Sequence, residues 1–111
     1  MIDALGDKPI YTTGTAAEIL GISPKTIIGY DREGLIHISR TAKNRRKLSK
    51  NNLFNIMLVH YFINEKGLTF NGVRMIIKLL RYSRQKGVDC LEVIIDKTQL
   101  EHFRAEIEAR T

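Results

Sequence analysis

The chain has 111 residues, of which 43% are hydrophobic and 27% charged, with a net charge of +6. That length suits one compact domain with a short appendage and argues against a multidomain enzyme, since domains commonly run to about 100–150 residues. No apolar run approaches the roughly 20 residues that cross a bilayer, and the acidic start Met1–Asp7 lacks the layout of a signal peptide. The single cysteine, Cys90, excludes an internal disulfide and a Cys-rich zinc site, so a reducing, cytoplasmic setting is expected.

The charge is unevenly placed. Residues 1–87 carry a net +9 and residues 88–111 a net −3. A basic body of this size suits a polyanion, and nucleic acid is the commonest one; the plainer alternative is a solvated basic surface.

In chain order, Tyr11–Thr15 runs into Ala16, Ile19 and Leu20 at helical spacing, and Gly21 stops the helix. Ser23 then stands as an N-cap with Pro24 at the first helical position, which predicts a second helix of about ten residues ending at Gly34. Two short helices about a tight turn have the helix-turn-helix layout, in which the second helix enters the major groove by its N-terminal end; an ordinary helical hairpin would share the same caps.

Leu35–Arg40 alternates apolar and polar residues as a strand does. Thr41–Asn44 reads as a turn in which Asn44 takes positive φ, and Arg45–Leu48 reads as the returning strand. This small hairpin, a wing, belongs to a stretch with six Lys/Arg and no acid over residues 40–50. Like charges on neighbouring strands repel unless a partner neutralises them, and a phosphate backbone would do so.

Ser49 caps a third helix with Leu53, Ile56, Met57, His60 and Ile63 on one side and Gly67 closing it. Thr69 begins a fourth, through Val73, Ile76, Ile77 and Leu80. Phe54, Tyr61, Phe62 and Phe70 lie within apolar helical patterns, which predicts core aromatics rather than base-stacking platforms. In the tail, Val88, Leu91 and Ile95 share a helical face, whereas Leu100, Phe103 and Ile107 fall on one rotated by about 120°. Either the helix breaks near Asp96–Thr98, or Leu91–Ile95 is a strand before a final amphipathic helix. The tail's acidic balance suits a protein surface rather than DNA.

The run from Tyr11 to about Leu80 resembles the DNA-binding domain of the MerR family of transcription regulators. The resemblance is carried by Ala17, Gly21-Ile22-Ser23-Pro24, Thr26-Ile27, Tyr30-Asp31-Arg32-Glu33-Gly34-Leu35, Arg40-Thr41, Arg46 and Ser49. Gly67-Leu68-Thr69-Phe70-Asn71-Gly72-Val73-Arg74 is most similar to the heat-shock repressor and nitrogen-regulator branches. The resemblance implies a mainly α, winged helix-turn-helix fold over residues 11–87, after a lead of residues 1–10 and before an oligomerisation or partner-contact segment at 88–111. It also implies that Ser23, Lys25 and Thr26 reach base edges and phosphates, that Arg45, Arg46 and Lys47 are wing contacts that position rather than read, and that Tyr30 approaches the backbone or packs beneath the wing. Thr13, Thr15, Arg32, Arg40 and Lys43 complete the expected DNA-binding set.

Ile28 and Gly29 stand where the family often has Arg and an aromatic, Leu48 where it has Tyr, and Asn52 where it has Asp, which shifts the expected contacts toward the wing. The expected partners are double-stranded DNA, a second copy as homodimer or DNA-templated oligomer, and a protein partner at the acidic tail, with no membrane. No cofactor or metal is expected, because Cys90 stands alone and His37, His60 and His102 are scattered; each histidine reads as a surface or core residue and Cys90 as a small buried hydrophobe. No phosphate-binding glycine loop or nucleophile with a nearby base points to an enzyme. The expected function is sequence-specific transcriptional regulation. The alternative is an architectural factor, similar to excisionases, that assembles cooperatively on DNA.

Overall fold

The computed structural model describes residues 5–111 as six helices and a two-stranded antiparallel sheet. Helix α1, Thr13–Leu20, is capped by the Thr12 side chain and ends at Gly21, whose φ of 68° lets its N–H reach back to the Ala17 carbonyl. Helix α2, Pro24–Arg32, starts on Ser23, whose hydroxyl accepts from the Lys25 N–H at 3.1 Å. Both helices stand where the sequence predicts them, joined by the tight turn.

The wing is shorter than its alternation predicts. Only Ser39–Arg40 (β1) and Arg46–Lys47 (β2) pair, with Ser39 opposite Lys47 and Arg40 opposite Arg46. The stretch before β1 is not a strand because Leu35, Ile36 and Ile38 are spent as core plugs, each at most 9% exposed, and the His37 carbonyl accepts from the Asn52 amide at 2.8 Å rather than from a ladder partner. The turn is as expected, with Asn44 at φ 62°. Leu48 adds a bridge to Tyr11 through backbone bonds of 2.7 and 2.9 Å, so the N-terminal lead is stitched to the wing. The buried Asn51 side chain holds the lead further down, accepting from the Leu5 and Gly6 N–H groups at 3.0 Å each.

Helix α3, Lys50–Asn64, opens with a reciprocal capping box between Ser49 and Asn52. Its burial is broader than the single predicted face. Leu53, Phe54, Ile56, Leu58, Val59 and Phe62 are all inaccessible, while Met57, His60 and Ile63 are only half-buried. A helix apolar nearly all round is a central one, and α3 is packed by α1, by α4 (Phe70–Gln85) and by the last helix, α6 (Lys97–Arg110). Phe70 departs from its expected place in the core: as the first residue of α4 it stays 38% exposed, edge-on to Tyr30.

The tail breaks at Ile95, which is extended between a short helix α5, Leu91–Ile94, and α6; Leu91–Ile95 is therefore not a strand. The kink resolves the two rotated apolar faces. Leu91 and Ile95 on one side of it, and Leu100, Phe103 and Ile107 on the other, are all buried in the same core. Arg110 donates to the Ile19 carbonyl at 2.6 Å and Lys50 pairs with Glu108 at 3.1 Å, fastening α6 to the body. Cys90 is half-buried against this core rather than fully enclosed. Among the described residues no helix is long and apolar enough to cross a membrane.

Candidate nucleic-acid interface

The N-terminal end of α2 presents Ser23 and Lys25 to solvent, with Thr26 half-buried beside them. The unpaired N–H groups and positive dipole end of a helix already favour an anion there, and Lys25 adds a full charge. At the start of α1, Thr15 is exposed and Thr13 half-buried; the Thr12 hydroxyl accepts from the Thr15 N–H at 3.1 Å and donates to the Thr15 hydroxyl at 3.0 Å, fixing that side chain.

The wing is fastened to the other end of α2. Asp31 Oδ2 accepts from Arg46 Nε at 2.7 Å and from Arg40 at 3.4 Å. Two of the six cations of residues 40–50 are thereby engaged internally. Arg46 corrects the expectation of a free wing contact: its side chain is only 15% exposed, and its place is that of a strut between wing and helix. Arg40, 40% exposed, also donates to the Asn44 carbonyl at 3.4 Å and buttresses the turn. Lys43 and Arg45 are left exposed at the tip, with Lys47 half-buried on β2. Arg32 is exposed but lies on the last turn of α2, about 10 Å along the axis from Lys25 at 1.5 Å per residue.

Tyr30 is packed inward: the residue is 4% exposed and turned toward α3 and α4, where its hydroxyl and His60 Nδ1 share a hydrogen bond of 2.8 Å. Burial pushes the Tyr30 hydroxyl pKa up, with Asn64 acting weakly the other way, and burial holds His60 below the ordinary histidine value against the opposing charge of Glu65.

Two positioning contacts were not singled out by sequence reasoning. Arg74, on α4, donates to the Glu33 carbonyl at 3.0 and 2.8 Å, pairs with the Glu33 carboxylate and donates to Asn71 Oδ1 at 2.6 Å. It thus satisfies a carbonyl at the C-terminal end of α2 and ties α4 to that helix. Asp31 shares its place ahead of the run of cations with Glu33, and only the folded wing pairs Asp31 with residues 9 and 15 positions away. Of the positions where the chain departs from the family pattern, Leu48 is inaccessible and Asn52 serves the capping box. Among the described residues no three His, Cys, Asp or Glu side chains converge as a metal site would need.

A helix-turn-helix with a basic two-stranded wing clamped to its second helix defines a winged helix-turn-helix protein. Residues 11–80 match the MerR HTH family of regulatory proteins, and the chain belongs to that family, which is one of regulators rather than enzymes. It is 33% identical over 73 residues to a heat shock protein, HspR, of Streptomyces coelicolor, a match covering 66% of this chain and 48% of that protein, so the chain spans about half the length of this relative. That relative carries the heat-shock name of one of the two branches to which the Gly67–Arg74 run is similar. Among solved structures the fold is similar to that of HiNmlR, a MerR family regulator lacking the sensor domain and bound to promoter DNA, with a TM-score of 0.60 and 24% identity over 90% of this chain and 71% of that one.

Proposed function

We propose that this chain is a sequence-specific DNA-binding transcriptional regulator of the MerR type, acting in the cytoplasm on the nucleoid. In this reading the leading end of α2, with Ser23, Lys25 and Thr26, enters the major groove, while the wing tip, Lys43 and Arg45, lies on the phosphate backbone. The observation that carries it is the Asp31 clamp, which holds a wing of excess positive charge against the helix that would read bases and leaves the tip cations exposed. Base contacts then specify and wing contacts position, and a dimer would take two half-sites related by two-fold symmetry. The net-acidic tail of residues 88–111 is offered to a protein partner.

A second reading is favoured by one specific feature. Leu100, Phe103 and Ile107, the apolar face that a C-terminal coiled coil would use, are buried within the chain itself. That arrangement suits an architectural factor assembling on DNA without such a coil.

Mapping bound sites across the genome and measuring affinity for a mapped duplex against its shuffled sequence separates the two. A regulator binds the mapped site about a thousandfold or more tighter than shuffled DNA, within the usual specificity range. Equal affinity for both would overturn the regulator reading.

A further inference from the structure

A cavity of about 340 Å³ lies between the turn that leads into α2, the second half of α3, and α6. Leu20 and Ile22 line it from the turn, Met57 and Tyr61 from α3, and Phe103 from α6. The first four pack against the core yet stay half-exposed, so apolar surface from two elements is left facing one recess. Small-molecule sites are concave, mostly apolar and about 300–1,000 Å³ in volume, with a few polar groups that fix orientation. This cavity stands at the small end of that range, which suits a body of one or two rings.

Its polar groups restrict what can fill it. His60 and Asn64 are already engaged, the first with the Tyr30 hydroxyl at 2.8 Å and the second as donor to the His60 carbonyl at 3.0 Å. Two lining groups are not: among the described residues the Glu65 carboxylate forms no ion pair and the half-buried Gln99 side chain no hydrogen bond. Glu65 is also the one lining side chain with a full charge, because burial holds His60 below the ordinary histidine pKa and leaves it neutral at pH 7. The aromatic wall favours positive charge as well. Tyr61 and Phe103 meet edge-on at 5.7 Å, and the exposed Lys66 ammonium already lies over the Tyr61 ring at 5.7 Å.

We infer that this cavity is a binding site for a small aromatic amine, its ring packed among Leu20, Ile22, Met57 and Phe103 and its ammonium donating to the Glu65 carboxylate and the Gln99 side-chain carbonyl. An ammonium has three donors and no acceptor, so it answers both groups at once. A carboxylate in the same place would oppose Glu65, and a hydroxyl has a single donor for two acceptors. Lys66 stands on a flexible stem and yields its place at the Tyr61 ring to the ligand cation. None of the lining residues named here is on the wing or among the proposed base and phosphate contacts, so the site is separate from the nucleic-acid interface.

The test uses the full chain without DNA, so its outcome is independent of the DNA-binding reading. The chain contains no tryptophan, so the indole fluorescence of tryptamine, excited beyond tyrosine absorption, reports binding directly. Titrating the chain into tryptamine at pH 7 should give a saturable rise in anisotropy with one site per chain. Tryptophol, with a hydroxyl in place of the ammonium, should bind about tenfold more weakly, and indole-3-propionate, the carboxylate analogue, more weakly still. Glu65→Gln changes an exposed side chain and should weaken tryptamine about fivefold while leaving tryptophol unchanged, so that the preference falls to about twofold. Gln99→Leu should weaken tryptamine about threefold. Tryptamine binding that does not saturate in the millimolar range overturns the inference. So does equal affinity for tryptophol or indole-3-propionate, or a preference for tryptamine that survives Glu65→Gln intact.

Discussion

Arg46 Nε donates to Asp31 Oδ2 at 2.7 Å, so a residue of the wing is anchored on the recognition helix with only 15% of either side chain exposed. The hairpin has two residue pairs and would have little independent stability. This contact, together with Arg40 and the Tyr11–Leu48 bridge, gives the wing one orientation relative to α2. Asp31 therefore acts against its own electrostatic sign. In the proposed binding mode an acid beside a polyanion would repel it, yet this one orders the cations proposed to attract it.

That opposition separates two effects of Asp31→Ala. Removing a negative charge should leave non-specific duplex affinity unchanged or slightly higher, whereas affinity for the specific site should fall about tenfold as the wing loses its register, equivalent to about 1.4 kcal/mol. Titrations with specific and shuffled duplexes check this. A parallel gain on both would show that Asp31 contributes only charge.

Tyr30 and His60 give a pH dependence with a definite sign. His60 is held below the ordinary histidine pKa by burial, so between its folded value and about 6.5 the unfolded chain binds more protons. The contribution is fully present above about pH 6.5 and is lost as pH falls through the folded value. Melts at pH 7 and pH 5 should show a drop that His60→Gln reduces. Tyr30→Phe removes the hydroxyl that shares a 2.8 Å bond with His60 and should cost about 1 kcal/mol at pH 7.

Phe103 is 8% exposed and meets Tyr61 and Phe54 edge-on at centroid separations of 5.7 and 6.5 Å. Truncation of a buried aromatic leaves a cavity, so Phe103→Ala should cost about 3 kcal/mol or more in denaturant unfolding. A loss under about 1 kcal/mol would mean that α6 is not part of the folding unit.

Gly29 is the reverse case. It lies inside α2, its φ is not in the left-handed region, and a Cβ placed there meets nothing within 4 Å. Gly29→Ala should therefore stabilise the chain by about 0.5–1 kcal/mol and raise the melting temperature by a few degrees. A lower melting temperature would show that the space beside α2 is not open.

The helix starts were legible because caps are local: Ser23-Pro24, Ser49 and Thr69 each act within three residues of their own position. The glycine stop of α1 and the turn at Asn44 were legible for the same reason. Strand length was not. The alternation of Leu35, Ile36 and Ile38 reads as pleating, whereas burial against helices consumes those residues. Nor could spacing show that one acid would engage Arg46 and Arg40, or that Tyr30 would turn inward to His60, because such pairings exist only once the elements pack. In the tail the mismatch between two apolar faces pointed to a break, and the kink at Ile95 supplies it.

The division of labour between wing tip and recognition helix is tested most directly by the salt dependence of binding to a mapped site. For duplex DNA, log K falls against log salt by about 0.9 per phosphate neutralised. Replacing Lys43 and Arg45 together by alanine should lower affinity on every sequence and make that slope shallower by about two. Lys25→Ala should instead change which bases are preferred. An unaltered slope in the wing-tip variant, or a change in base preference with no loss of general affinity, would contradict the wing's assignment to the phosphate backbone.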